Sequence, residues 1–367
     1  MDKMKKIAAV LLMMGLLACV ACGRDGADSS DESKVKQEST AESEQSQEDS
    51  KNGMESTEDS EESGLAEGMT YSVYTGLPIR EETARTQPLA LVLNNIRQAR
   101  PQSGIEGADI IYETEAEGGI TRLVAIFQDY QELEKIGSIR SARRAFLDFA
   151  LDQGAVLVHY GEDKAIKNVY NEIGCPHMNG LSYLDGKMTW RSTDRKAPHN
   201  VYTSGERLQT ALELCHLEKE INPPERRVFT FAQEWQVPEG GQAVQKVSLP
   251  IYKSEFVYNP ATRAYDRYQN GEVYVDLETG NTVGFTNVLI QKTSIELGED
   301  GLHMNIRTIG SGQGYYLTGG KMFEVTWEKK SQDEETRWYG ADGQELILNP
   351  GTTWINVIRS GATVKFE

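Results

Sequence analysis

"DIIYETEAEGGITRLVAIF", residues 109–127, holds two β-rich runs joined across Glu117-Gly118-Gly119. Apolar and β-branched residues on either side of a Gly-Gly pair signal a hairpin. In its first run Glu113, Glu115 and Glu117 alternate, so a strand that persists through them turns all three to one face. Upstream, "PLALVLNN" (88–95) is a short apolar run after a proline and reads as a buried strand. Downstream, "IGSIRSARRAF" (136–146) reads as the start of a helix. Its apolar positions, Ala142, Ala145, Phe146, Phe149 and Ala150, fall at i, i+3/i+4 spacing. Ser138 or Ser141 can cap this helix, and Gly154 stops it. "AVLVHY" (155–160) is a further buried strand, while "DKAIKNVYNEIG" (163–174) and "GERLQTALELCHLEK" (205–219) read as helices. Strands interleaved with helices predict an α/β layer domain with a mixed sheet over residues 69–220.

The texture changes at "INPPERR" (221–227), and residues 221–244 read as a linker. From 245 to 367 the chain is a series of short alternating runs split by Gly, Asn and Asp, with tight-turn signals at "QNGE" and "ADGQ". The expected fold class is therefore α+β in two domains. An α/β mixed-sheet N-terminal domain precedes a small all-β C-terminal domain of curled sheet or barrel.

The first 68 residues read differently. Lys3, Lys5 and Lys6 precede an apolar stretch too short for a comfortable membrane span, so residues 1–22 read as a signal peptide. "LLAC" (16–19) has the form of a bacterial lipobox, with Cys19 as the residue to be lipidated and Cys22 as the alternative. Residues 23–68 are low in complexity and nearly free of large apolar side chains, the composition of a disordered tether. Residues 25–68 carry fifteen Asp and Glu against three Lys, so most of the net charge of −18 belongs to the tether. The remainder is mildly acidic and has no basic stripe for nucleic acid. The expected location is extracytoplasmic, held to the cytoplasmic membrane by an N-terminal lipid.

Beyond the signal the cysteines are Cys175 and Cys215. They suit one disulfide in an exported protein. Cys175-Pro-His177 and Cys215-His216 offer metal-ligand types without a paired C-x-x-C, so neither a metal nor a cofactor is expected. No G-x-S-x-G, H-E-x-x-H or Walker pattern occurs.

Candidate chemistry gathers where loops meet the ends of the expected strands. Arg140, Ser141 and Arg143 lie at the helix start, where free N–H groups and guanidinium forks suit an anion. The same arginines can instead pair with Glu113 or Glu117 and tie hairpin to helix; Arg144 is expected to be solvated. Arg195 joins the binding set from the irregular segment that also holds Arg191. Glu113, His159 and His199 are the candidates for acid–base catalysis. Tyr315, Tyr316, Trp327, Trp338, Tyr339 and Trp354 offer either a sugar-stacking platform or the core of the β region, and core is the favoured reading for the tryptophans.

"ARPQSGIEGADIIYE", "EGGITRLVAIF", "IGSIRSAR" and "APHNVY" resemble the N-terminal domain of the YerB-like lipoprotein family, DUF3048. "YNPATRAYDRYQNGE", "GSGQGYYLTGGKMFEVTW" and "LNPGTTWINV" resemble its C-terminal domain. The resemblance runs collinearly over roughly residues 70–365. It departs at Ser138, where the family pattern has proline, and at "HYGED" (159–163). It implies an exported two-domain lipoprotein and no established chemistry. Two functions stand at this point. One is a cell-envelope binding or scaffolding module that takes an anionic wall component or an envelope protein at the arginine cluster. The other is a wall-glycan hydrolase or transferase.

A diacylglyceryl group supplies two acyl chains, enough for stable membrane residence. Cys19→Ser should therefore release the protein from the membrane fraction or leave an unprocessed precursor. Continued lipidation of that variant would move the attachment to Cys22.

Overall fold

The computed structural model describes residues 65–223, 228–250 and 253–367. The expected signal peptide, Cys19, Cys22 and nearly all of the expected tether lie outside the described residues. Leu89–Asn94 (β1) is buried along its whole length, as a run without alternation requires of a strand covered on both faces. The hairpin forms from Ile110–Glu117 (β2) and Ile120–Phe127 (β3), paired antiparallel, and β3 pairs antiparallel with β1. The helix Arg144–Asp152 (α1) leads to Val156–His159 (β4), parallel to β1, and His177–Asn179 (β5) lies parallel to β4.

Two helix expectations need correction. Residues 163–174 form only a 3-10 turn, Lys164–Ile166, and a four-residue helix, Val169–Glu172. β-Branched residues and asparagines weaken helix propensity there. α1 has Arg143 at its N-cap position with no side-chain cap, and Ser141 Oγ instead donates to the Tyr160 carbonyl at 3.1 Å. The helix Gly205–Leu214 (α2) is capped as its sequence implies, Ser204 Oγ accepting from the Arg207 N–H.

The C-terminal segment is β throughout, but it is not a separate barrel. Its strands are Gln242–Ala243 (β6), Lys246–Leu249 (β7), Ser254–Asn259 (β8), Ala264–Gln269 (β9), Asn287–Thr293 (β10), Gly310–Thr318 (β11), Lys321–Lys329 (β12), Arg337–Tyr339 (β13) and Thr353–Arg359 (β14). β14 runs parallel to β2 on one side and to β10 on the other. One eleven-stranded sheet results, in the order β6-β12-β11-β10-β14-β2-β3-β1-β4-β5, with β13 on β12. β7, β8 and β9 belong to a second, six-stranded sheet. The expected all-β domain thus contributes half of the main sheet, and the described residues fall in one compact unit. Part of the expected linker is also ordered: Thr230–Phe231 pairs with Ile347–Leu348.

Both faces of the main sheet are covered. Leu91, Ile111, Ala125 and Trp354 share a core with Phe256 and Phe285 of the second sheet and with Leu208 and Leu212 of α2. Tyr112, Val124 and Ile355 share the opposite core with Phe146 and Phe149 of α1 and with Trp327 and Trp338. The three tryptophans of the proposed stacking platform are therefore core, as is the 2 % exposed Tyr316, while Tyr315 and Tyr339 are half-buried.

An ion pair lies between the two sheets. Arg267 of β9 is 0 % exposed and its Nη2 meets Glu113 Oε2 at 2.8 Å. Its guanidinium sits 4.2 Å from the Trp354 ring centroid and 5.0 Å from that of Tyr274. Glu113 Oε1 accepts from Asn95 Nδ2 and Thr121 Oγ1, both at 2.8 Å. A charge taken this far from water needs a partner and further hydrogen bonds, and both are present. Removing either member, as in Arg267→Ala or Glu113→Ala, strands the other, and each change should cost about 3–5 kcal/mol. The double change Glu113→Ala/Arg267→Ala should cost much less than the sum. Denaturant melts of the two singles and the double decide it; additive losses would show that the pair is not coupled.

Candidate functional site

β1 and β2 are both antiparallel to β3, so β1, β2, β4, β5, β10 and β14 all point one way. Their carboxyl ends form one edge, the place where open sheets of this kind accept ligands. The segment 138–142 crosses that edge. The Asn94 N–H donates to the Ser138 carbonyl at 2.9 Å, the Arg140 N–H to Val92 at 2.8 Å and the Tyr160 N–H to Arg140 at 3.0 Å. These backbone bonds fasten the arginine segment between the ends of β1 and β4.

The three hairpin glutamates do not act together. A register shift between Glu115 and Glu117 breaks the alternation of β2. Glu113 is held by Arg267. Glu115 accepts from Arg359 through both oxygens, at 3.0 and 2.6 Å. Glu117 turns instead toward the start of α1, where its Oε1 accepts from Arg122 Nη2 at 2.5 Å and from Arg143 Nη2. Of the two hairpin partners open to the helix-start arginines, Arg143 takes Glu117 and neither arginine takes Glu113, because the bulge turns Glu117 alone toward them.

Around Glu117 the cations outnumber their near partner. Arg122 donates its Nη1 to the Ser141 carbonyl at 2.5 Å, and Arg143 donates its Nη1 to the Ala142 carbonyl at 2.7 Å. Arg140 makes no side-chain hydrogen bond or ion pair among the described residues, and its buried Nε has no acceptor. The buried Arg143 Nε likewise has none. Burial, then the charge of Arg143, pushes the Arg122 guanidinium down to about 9, against the pull of Glu117. Burial also lowers Arg140, with repulsion from Arg143 and Arg191 adding to it and Glu117 opposing. His303 reaches toward Glu117 at 4.0 Å and binds Asp163 and Asp300 through its other nitrogen.

The remaining candidates divide. His199 belongs to this edge: its Nδ1 meets Asn94 Nδ2 at 3.0 Å, and burial followed by the charge of Arg140 lowers its pKa. Arg195 does not bind there; its guanidinium donates to the carbonyls of Ala99 and Pro101, both at 2.5 Å, and straps a loop. His159 is 0 % exposed, donates Nδ1–H to the Gly161 carbonyl at 2.8 Å, and is pushed by burial down to about 3. Glu113, His159 and His199 thus each bond a different partner: Arg267, the Gly161 carbonyl and Asn94 respectively. Arg144 is not simply solvated, since it pairs with Asp148 at 2.6 Å and donates to Gln332 at 2.9 Å. Cys175 and Cys215 are free thiols, and burial pushes Cys175 up to about 12.

Arg122 is the residue the sequence reading missed. Its signal was a lone charge inside the apolar run "ITRLVAIF". Two open grooves, of about 600 and 470 Å³, lie elsewhere, lined by residues such as Met322 and Phe323 or Tyr71 and Phe229. Neither holds a charged candidate residue, so arrangement of charge selects the site rather than cavity size.

Comparison with known proteins accounts for this architecture. The family described as "Protein of unknown function (DUF3048) N-terminal domain" matches residues 74–217, and its C-terminal counterpart matches 246–355. The chain is 32% identical over 291 residues to "Putative lipoprotein YerB" of Bacillus subtilis, covering 77% of this chain and 85% of the relative. The crystal structure of the YerB protein from Bacillus subtilis superposes with a TM-score of 0.72 at 29% identity, covering 81% of this chain and 99% of that one. With the fold, both matched segments and a relative of this identity in agreement, the chain belongs to the DUF3048 family.

Proposed function

We propose that this chain is a lipid-anchored, extracytoplasmic binding module of the cell envelope that takes an anionic group at Arg140 and Arg143. The carrying observation is the count of charges at the strand ends. Arg122, Arg140 and Arg143 surround Glu117, and Arg140 has no acceptor among the described residues. Three crowded guanidiniums repel one another, and an added anion relieves that repulsion. The uncapped start of α1 adds N–H groups and partial positive charge at the same place. The lipid anchor rests on the lipobox at Cys19 and on the name of the Bacillus relative. Phosphate and carboxylate groups of wall polymers are the ligand class that matches this chemistry. Glu113 is engaged by Arg267 and His159 by the Gly161 carbonyl, which favours the binding reading over a glycan hydrolase.

Calorimetric titration with inorganic phosphate and with a glycerol-phosphate oligomer tests the reading. Binding should weaken as salt rises. Arg140→Ala should abolish it while leaving the melting temperature unchanged or slightly higher, because a repelled charge has been removed. A large fall in melting temperature with binding retained would make Arg140 a structural residue.

A further inference from the structure

We infer that His159, Glu162 and His177 form a zinc-binding site at the ends of β4 and β5. His159 Nε2 and His177 Nδ1 face one another at 3.0 Å, and Glu162 brings its carboxylate close. The three ligand atoms all lie within 4.8 Å of one another.

Hydrogen bonding at the first ring prepares it as a ligand. A carbonyl can only accept, so His159 must carry its proton on Nδ1 for Gly161. That leaves Nε2 as a lone pair. A ligating histidine characteristically donates its other N–H to a backbone carbonyl in this way, which fixes tautomer and ring orientation. Glu162 has an outer partner as well: Asn179 Nδ2 donates to it at 3.3 Å, while Asn179 Oδ1 accepts from the Gly161 N–H at 2.9 Å. One asparagine thus ties the loop that orients His159 to the carboxylate beside it. Tyr170 closes the wall, its ring stacked 3.7 Å from that of His177 and 5.5 Å from that of His159.

The alternative is a buried histidine pair sharing one proton. That arrangement has no need of a carboxylate within reach of both nitrogens. Two imidazoles and one carboxylate with a position left open is a zinc set, and Zn–N distances of about 2.0–2.1 Å put two tetrahedral ligand nitrogens about 3.3 Å apart. The rings need to part by only a few tenths of an ångström. Burial of His159 with half-burial of Glu162 and His177 leaves an approach from one side. The site is independent of the anion reading, although it shares the segment that carries the arginines, since the Ala142 N–H donates to the Gly161 carbonyl.

Zinc titration of the metal-stripped full-length protein by calorimetry tests the inference. One equivalent of Zn²⁺ should bind saturably. His177→Gln and Glu162→Gln should each weaken binding by at least the roughly tenfold that losing an outer partner of a ligand costs. Asp300→Asn serves as the control for the separate Asp163–Asp300–His303 cluster and should leave binding unchanged. Melts without metal report whether each variant folds. If neither does, the visible spectrum of the native chain with Co²⁺ decides. Strong bands of a four-coordinate ion support the site, and weak bands of an octahedral ion overturn it. No saturable zinc binding in the native chain, or binding kept in folded His177→Gln and lost in Asp300→Asn, also overturns it.

Discussion

The rest of the architecture depends on the pairing of Thr353–Arg359 with Ile110–Glu117. Without it, the hairpin strand β2 would end the sheet with a row of unpaired backbone groups, an arrangement that natural proteins avoid. With it, the strands of the two family segments become one sheet with a core on each face. Parallel pairing requires a long connection, and here the paired residues lie 243 positions apart, as Thr353 does from Ile110. Between them in sequence lie α1, which packs on one face of the sheet, and the second sheet and α2, which pack on the other.

The three hairpin glutamates show how the functional edge follows from that constraint. Glu113 and Glu115 are matched by Arg267 and Arg359, both from the C-terminal segment. These pairs hold the sheet together and are used up in doing so. The bulge after Glu115 turns Glu117 to the other side, where Arg122 and Arg143 share it. A structural solution for two carboxylates thereby leaves an excess of arginine at the ends of the strands. α1 is fastened to the C-terminal segment at the same time. Asp152 bonds Lys329 at 2.5 Å in the interior and Asp148 accepts from Thr308, also at 2.5 Å. Burial raises Asp152 to about 6, against the pull of Lys329 beside it.

What could be read in the sequence was local. The hairpin, β1, β4, α1 and α2 each carry their own periodicity and turn chemistry, and the arginines at 140 and 143 stand beside a glycine-serine turn. The partners were not local. Arg267 lies 154 positions from Glu113 and Arg359 lies 244 from Glu115. No spacing rule reaches so far. Alternation placed Glu117 with its neighbours because a bulge leaves no mark in a run of Glu, Thr and Ala. Ser141 had the composition of a helix cap, but the Tyr160 carbonyl claimed its hydroxyl. His177 was considered only with Cys175, two positions away, whereas its partner His159 comes from the neighbouring strand. The change of texture after residue 221 was real: the segment beyond it is β, and its strands divide between the main sheet and the second.

Native-state hydrogen exchange read by mass spectrometry tests the single-sheet account most directly. Deep strands open only with global unfolding, whereas separate units open at separate free energies. Peptides covering Ile110–Glu117 and Thr353–Arg359 should exchange together, among the slowest in the chain, and respond identically to added denaturant. Early exchange of the 353–359 peptides while those of β1, β2 and β3 stay protected would contradict the account, because it would mean that the two segments fold as independent domains.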